Sequence, residues 1–260
     1  MIPQDLTKIG GHVSLIQPGI PDHETWSKQK FRTEGGMQVG NIHLKPILLY
    51  LPDEEGWIQK WRLAQEHLFE QGFENVYSLA GVHGKCWGIE GNHIFLLDGK
   101  PEEKHYVGTN NVANYLSQYA AYLVMDALDY QFCWYMETDC RMVEGWREKL
   151  EQALEDAGTD WDLMFIGHCC TEGKPKVHVK GDVYEYPHNP NCWNCYPLCT
   201  HSYIINKRCI PHMIATNRDV MNNTDISMQY NSFPKMRVLA IDPILSYQHN
   251  NKIFEKYFPL

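Results

Sequence analysis

Glu137-Thr138-Asp139 is where residue type and position in this chain combine into usable chemistry. The two acids follow directly on Gln131-Phe132-Cys133-Trp134-Tyr135-Met136, which reads as a central strand, apolar on both faces as parallel strands covered by helices are. In open α/β sheets, ligands sit beyond the carboxyl ends of the strands. Two carboxylates one residue apart at such an end can turn to one side. One would then hold a ribose or a water, and the other a Mg²⁺ or Mn²⁺ ion through hard oxygen contacts. An ion there would hold two phosphates, and a departing nucleoside diphosphate is a charge that a divalent cation neutralises as a Lewis acid. The same pair also fits a solvated turn or a cap for the next helix, and spacing alone does not choose between them.

An alternation of strands and helices must position these acids. Pro46 to Leu51 is a short apolar strand, Asp53 a helix cap, and Trp57, Trp61, Ala64 and Leu68 recur at helical spacing up to Gly72. A second strand follows at Asn75 to Leu79, and Asn111 to Leu128, rich in Ala, Leu, Val and Tyr, reads as a largely buried helix. Beyond the acidic turn come a helix from Gly145 to Ala157 with Trp146, Leu150 and Leu154 on one stripe, and a strand from Trp161 to Ile166. A long polar loop runs from His168 to Pro197, then a strand at Ser202 to Ile205, a helix from Pro211 and a strand at Arg237 to Ile241. This order predicts a doubly wound sheet in one domain over residues 46–260, preceded by an irregular arm over 1–45.

Composition narrows the class. A chain of 260 residues with 43% hydrophobic and 21% charged residues can bury the core of one large α/β domain. The formal charge of -9 argues against a broad nucleic-acid footprint, which needs clustered Lys and Arg. No run reaches the ~18 apolar residues of a membrane span and the start has no signal-peptide pattern, so the expectation is a soluble cytoplasmic protein. In that setting the nine cysteines read as thiols or metal ligands, with Cys133 and Cys169-Cys170 as small core residues. Cys192, Cys195 and Cys199, flanked by His188 and His201, could hold a structural Zn²⁺, but a second C-x-x-C pair at the proper distance is missing, which favours free thiols pinning an apolar lid.

Several segments, in order between Tyr50 and His249, resemble glycosyltransferase family 25, the group of lipooligosaccharide and collagen galactosyltransferases. Asn111 to Ala121 resembles the family's approach to a helix containing Leu-Ser-His, with Gln118 in place of the His. Tyr135-Met136-Glu137-Thr138-Asp139 sits where the family has a strand ending in Glu-Asp-Asp, and Asp160 to Gly167 is similar to its Trp-Asp-Leu-x-x-x-Gly strand. Thr200 to Asn206 is similar to Thr-His-Ala-Tyr-x-Ile-Ser, Asn223-Thr224-Asp225 to Pro-x-Asp, and Asp242 to His249 to the closing Pro-Pro-Leu strand and its polar tail. The resemblance implies a GT-A-like (Rossmann-like) mixed sheet with helices on both faces. It also implies transfer of a hexose or related sugar from a nucleotide-diphosphate sugar, such as a UDP-sugar, with Mn²⁺ or Mg²⁺ as cofactor.

On that resemblance Glu137 and Asp139 hold metal and donor, His249 supplies a third metal ligand, and His201 and Tyr203 face the donor. Asp225 is the general base or acceptor anchor, because an acceptor hydroxyl must lose a proton as it attacks. Each has a plainer reading. Asn223-Thr224-Asp225 is also a good helix start, His249 a surface residue near a terminus, and His201 a hydrogen-bonded core histidine. The acceptor is a glycan, a protein hydroxyl or a hydroxymethylated DNA base, the last disfavoured by net charge. Thr138 removes one of the family's three acids, which leaves a second class open: a non-catalytic binding module on a degenerate transferase fold.

Overall fold

The structure is a computed structural model that describes residues 36–50, 55–73, 75–82, 93–96, 104–107, 109–189, 195–217 and 223–249. The arm before residue 36, the cap assigned to Asp53 and the candidate ligand Cys192 lie outside the described residues. In chain order the elements are β1 (Met37–Val39), β2 (Ile42–Tyr50), α1 (Glu55–Glu70), β3 (Tyr77–Ala80), β4 (His93–Leu96), β5 (Lys104–Val107) and α2 (Thr109–Ala127). They continue with β6 (Phe132–Glu137), β7 (Cys140–Met142), α3 (Trp146–Ala157), β8 (Leu163–Cys169), β9 (Val177–Lys180), β10 (Val183–Glu185) and β11 (Leu198–Asn206). After a 3₁₀ turn come α4 (Ile210–Thr216), α5 (Thr224–Asn231), β12 (Val238–Ile241) and β13 (Ser246–Gln248).

Nine strands form a mixed sheet in the order β1-β2-β6-β11-β8-β12-β10-β9, with β3 also on β2. β2 runs parallel to β3 and β6, and β8 parallel to β12, while β11 lies antiparallel between β6 and β8. Strands β6 and β8 are buried on both faces because helices cover both. Alternate side chains of β6 feed two cores. Phe132, Trp134 and Met136 join Ala64 and Leu68 of α1 and the Trp146, Leu150, Ala153, Leu154 stripe of α3. Cys133 and Tyr135 join Tyr122 and Met125 of α2, Met213 of α4 and Met228 of α5. The expected α/β mixed sheet with helices on both faces is the architecture observed.

Local sequence explains the joints. Helix α1 stops where Gly72 takes φ +79, its N–H bonding to the Phe69 carbonyl and the Phe73 N–H to the Leu68 carbonyl, the paired closure of a Schellman motif. Phe73 then drops into the core, its ring centroid 4.8 Å from that of Trp146 and 5.0 Å from that of Trp134. Three expectations need correction. The first strand begins at Ile42 and pairs with β1, so residues 37–45 belong to the sheet and not to an arm. The stretch from His168 to Pro197 holds the β9-β10 hairpin, which extends the sheet past β12. Cys169 and Cys170 are not two core thiols: Cys169 is bonded to Cys199, and Cys170 is exposed. Among the described residues no helix is long and apolar enough to cross a membrane.

Candidate active site

Glu137 ends β6, and Asp139 follows in the turn before β7. By the alternation of β6, Glu137 points to the α2 side, where the amides of Asn114 and Gln118 favour its charged form. Those two amides lie four residues apart on α2 and so share one face of the helix. Asn114 Oδ1 accepts from Thr224 Oγ1 at 2.8 Å, and Gln118 Nε2 donates to Thr200 Oγ1 at 2.6 Å. One pair of amides thereby ties β6 to the first turn of α5 and to β11. Helix α2 is itself pinned to the end of β3 by Ser117, whose hydroxyl accepts the Val82 N–H at 2.8 Å.

Burial pushes the Glu137 carboxyl up to about 8, and the charges of Asp139 and Asp225 add to the rise while the two amides oppose it. Asp139 is also raised by burial, against the pull of Arg141 and Lys60. Gln248 Nε2 donates to Asp139 Oδ2 at 3.3 Å; Asp139 Oδ1 is buried with no hydrogen-bond partner. The charges of Asp139, in the turn after β6, and of Asp225, on α5, are thus both felt at Glu137.

Asp225 lies in the first turn of α5 behind an Asn223 cap. Its Oδ1 takes the Ile226 N–H at 2.9 Å and its Oδ2 the Cys199 N–H at 3.3 Å. The helix-start reading is thus correct for this segment, and the charge of the same carboxylate is felt at Glu137. Lys174, on the loop before β9, donates to the Tyr196 carbonyl and carries its charge toward Asp225.

His249 reaches Asp139 through its backbone, its N–H donating to the Asp139 carbonyl at 2.7 Å. Among the described residues no three His, Cys, Asp or Glu side chains converge on a cation position, so the set Glu137, Asp139, His249 is not assembled as an all-protein cage. His201 and Tyr203 are fully buried. Tyr203 stacks on Tyr135 at 5.0 Å and donates to Tyr122 at 3.4 Å and to Gln118 Oε1 at 3.5 Å, a layer directly beneath the amides. His201 Nε2 lies 3.4 Å from the Ser246 carbonyl, and burial pushes this imidazole down to about 3. Gly167 opposes it, and a Cβ there would meet His201 Nε2 and Ser246 Oγ well inside contact distance, which accounts for the glycine. Of the zinc candidates, Cys199 is bonded to Cys169 and Cys195 is disulfide-bonded, so neither offers a thiolate.

Asn114, Gln118, Thr224, Lys174 and Gln248 were not named from sequence as site residues. For Asn114 and Gln118 the signal was available: two amides at helical spacing in a segment otherwise rich in apolar residues.

No family model matches the chain, and no curated protein matches it. A glycosyltransferase involved in the glycosylation of the major capsid of PBCV-1 aligns at 10% identity over 77% of this chain and 81% of its own, with a TM-score of 0.43. The inositol-1-phosphate CTP transferase from T. maritima aligns at 10% identity over 81% of this chain and 89% of its own, with a TM-score of 0.37. At that level neither likeness carries an argument about this chain, and the site's own residues are the ground for what it does.

Proposed function

We propose that this protein transfers a sugar from a nucleotide-diphosphate donor to an acceptor hydroxyl, with the diphosphate at Glu137 and Asp139 and the acceptor at Asp225. The observation that carries the reading is the gathering of three carboxylates at the carboxyl end of β6, where the sheet direction reverses at β11. Burial raises the Glu137 carboxyl first, the charges of Asp139 and Asp225 add to it, and a bound cation would offset both. The buried, unpartnered Asp139 Oδ1 is the kind of oxygen a divalent cation takes. Mg²⁺-type ions are commonly held by one or two carboxylates with the remaining positions on water and substrate phosphates, so Glu137 and Asp139 fit that role without a third protein ligand. When bound, the cation would neutralise charge on the departing diphosphate.

The chain's own residues do the rest. Asn114 and Gln118 orient Glu137, and Gln248 orients Asp139. On the acceptor side the Asp225 carboxylate takes the proton of the attacking hydroxyl as its oxygen bonds to the sugar carbon. The bond from that carbon to the diphosphate breaks, and nucleoside diphosphate leaves. A panel of nucleotide sugars with purified protein, with and without Mn²⁺, tests this by release of free nucleoside diphosphate. Release that needs Mn²⁺ and is lost in Asp139→Ala is the expected result. Silence across the panel, with no donor-induced rise in melting temperature, would sink the reading.

A further inference from the structure

We infer that the Cys169–Cys199 disulfide is a redox-controlled clamp that positions Asp225, so that the state of one covalent bond sets the acceptor side of the site. The inference rests on the reading of Asp225 proposed above. Cys169 is the last residue of β8 and Cys199 the second of β11, with Cα atoms 5.8 Å apart across 30 residues of chain, a separation within the ordinary disulfide range. Regular pairing is interrupted there. Leu198 faces Cys169, the next paired position is Ser202 opposite Gly167, and the register shifts between them. Cys199 has no ladder partner in that gap, and the sulfur bridge ties it to β8.

Cys199 has φ +68, a left-handed backbone that a residue with a Cβ adopts only where its surroundings impose it. In that conformation its N–H donates to Asp225 Oδ2 at 3.3 Å. The other hydrogen bond to this carboxylate, from Ile226, comes from its own helix and cannot fix it against β11. The bridge therefore fixes the backbone that fixes the base. Cys199 is half-buried and Cys169 buried, so the Cys199 sulfur is the one a reductant would meet first. A dithiol reductant would attack one bridge sulfur as thiolate, release the other cysteine as a thiol, and then close its own disulfide to free the second. Two electrons and two protons pass to Cys169 and Cys199. Cys199 is then free to leave the left-handed conformation and withdraw its N–H, while Glu137 and Asp139, held by α2 and β13, stay as they are.

The test compares protein purified without reductant, the same protein after reduction with dithiothreitol, and Cys169→Ala/Cys199→Ala. Amide hydrogen exchange by NMR reads the clamp, and donor and acceptor kinetics read the chemistry. Reduction should speed exchange at the Cys199 amide and the first turn of α5 by about 10-fold. It should also lower turnover to acceptor on the order of 10-fold with donor KM unchanged. The double variant, without reductant, should match the reduced protein at the residue 199 amide and the first turn of α5, which separates the Cys169–Cys199 bridge from the one that holds Cys195; if it does not fold, reduction of the wild-type chain carries the comparison. Identical exchange and turnover in both redox states overturn the clamp, as does finding Cys169 and Cys199 as alkylatable thiols in the unreduced protein. Exchange that responds while no donor is consumed in either state upholds the clamp and removes the transferase reading instead.

Discussion

Gln248 and Asp139 meet side chain to side chain at 3.3 Å, and the adjoining His249 N–H closes on the Asp139 carbonyl at 2.7 Å. The second acid is thus held by a strand far along the chain from its own. Replacing Gln248 by Ala removes a part-buried hydrogen bond and should cost about 1 kcal/mol of stability. Mn²⁺ binding in the presence of nucleoside diphosphate should weaken several-fold, read by titration calorimetry. Unchanged Mn²⁺ affinity would mean that Asp139 needs no such orientation.

Glu137 gives the pH dependence a definite sign. Its folded-state carboxyl sits at about 8 against 4.5 as a free side chain, so between those values the folded protein holds a proton that the unfolded chain has released. Stability from this group is complete below the lower value and is lost as pH rises through the upper one. Melting temperature in chelator should fall across that window, Glu137→Gln should flatten the fall, and Mn²⁺ with nucleoside diphosphate should reduce it.

His168 produces the opposite limb. Burial pushes it down to about 4 from 6.5, against the Ile241 carbonyl 3.0 Å from its Nε2, so the unfolded chain gains a proton that the fold refuses. Stability is complete above 6.5 and is lost as pH falls toward 4, by on the order of 3 kcal/mol. His201, lower still at about 3, adds to the loss. His168→Gln should make the acid limb of a urea-midpoint profile shallower.

Thr138 is buried between the two acids, with its carbonyl taking Arg141 Nη1 at 3.0 Å. Placing an acid there by Thr138→Asp would bury another carboxylate beside Glu137 and Asp139. A loss of roughly 2–4 kcal/mol in urea unfolding near neutral pH, partly recovered at acid pH, is the expected outcome.

Much of this frame could be read from residues alone. The run from Phe132 to Met136 is uniformly apolar and stops at acids, and that pattern needs no partner to be recognised. The stripe of Trp146, Leu150 and Leu154 is equally self-contained. What escaped notice depends on partners elsewhere. Val177 to Lys180 is a mostly exposed edge strand, placed by pairing with β10, which in turn pairs with β12; its own pattern says little. The three-residue strands β7 and β13 exist because they pair with each other. The Cys169–Cys199 bond joins two of nine cysteines, and no spacing rule selects that pair. At the site, Glu137 and Asp139 were visible because a strand end exposes them, whereas the grip of Asn114 on Thr224 spans elements whose contact only the fold creates.

The ribbon of β13 on β7 also has a kinetic meaning. Asp139 acquires its neighbours from β13 and Asp225 its outside contact from β11, whereas Glu137 takes its amides from the adjacent α2, so the set of acids waits on the two later strands. Contacts of that kind form late, after local helices and hairpins have bought little of the final structure. A partly folded chain can hold β6 and α2 in place and still lack a finished set of carboxylates. Competence to bind is therefore tied to completion of the sheet, and intermediates with near-native helix content would be silent toward ligand.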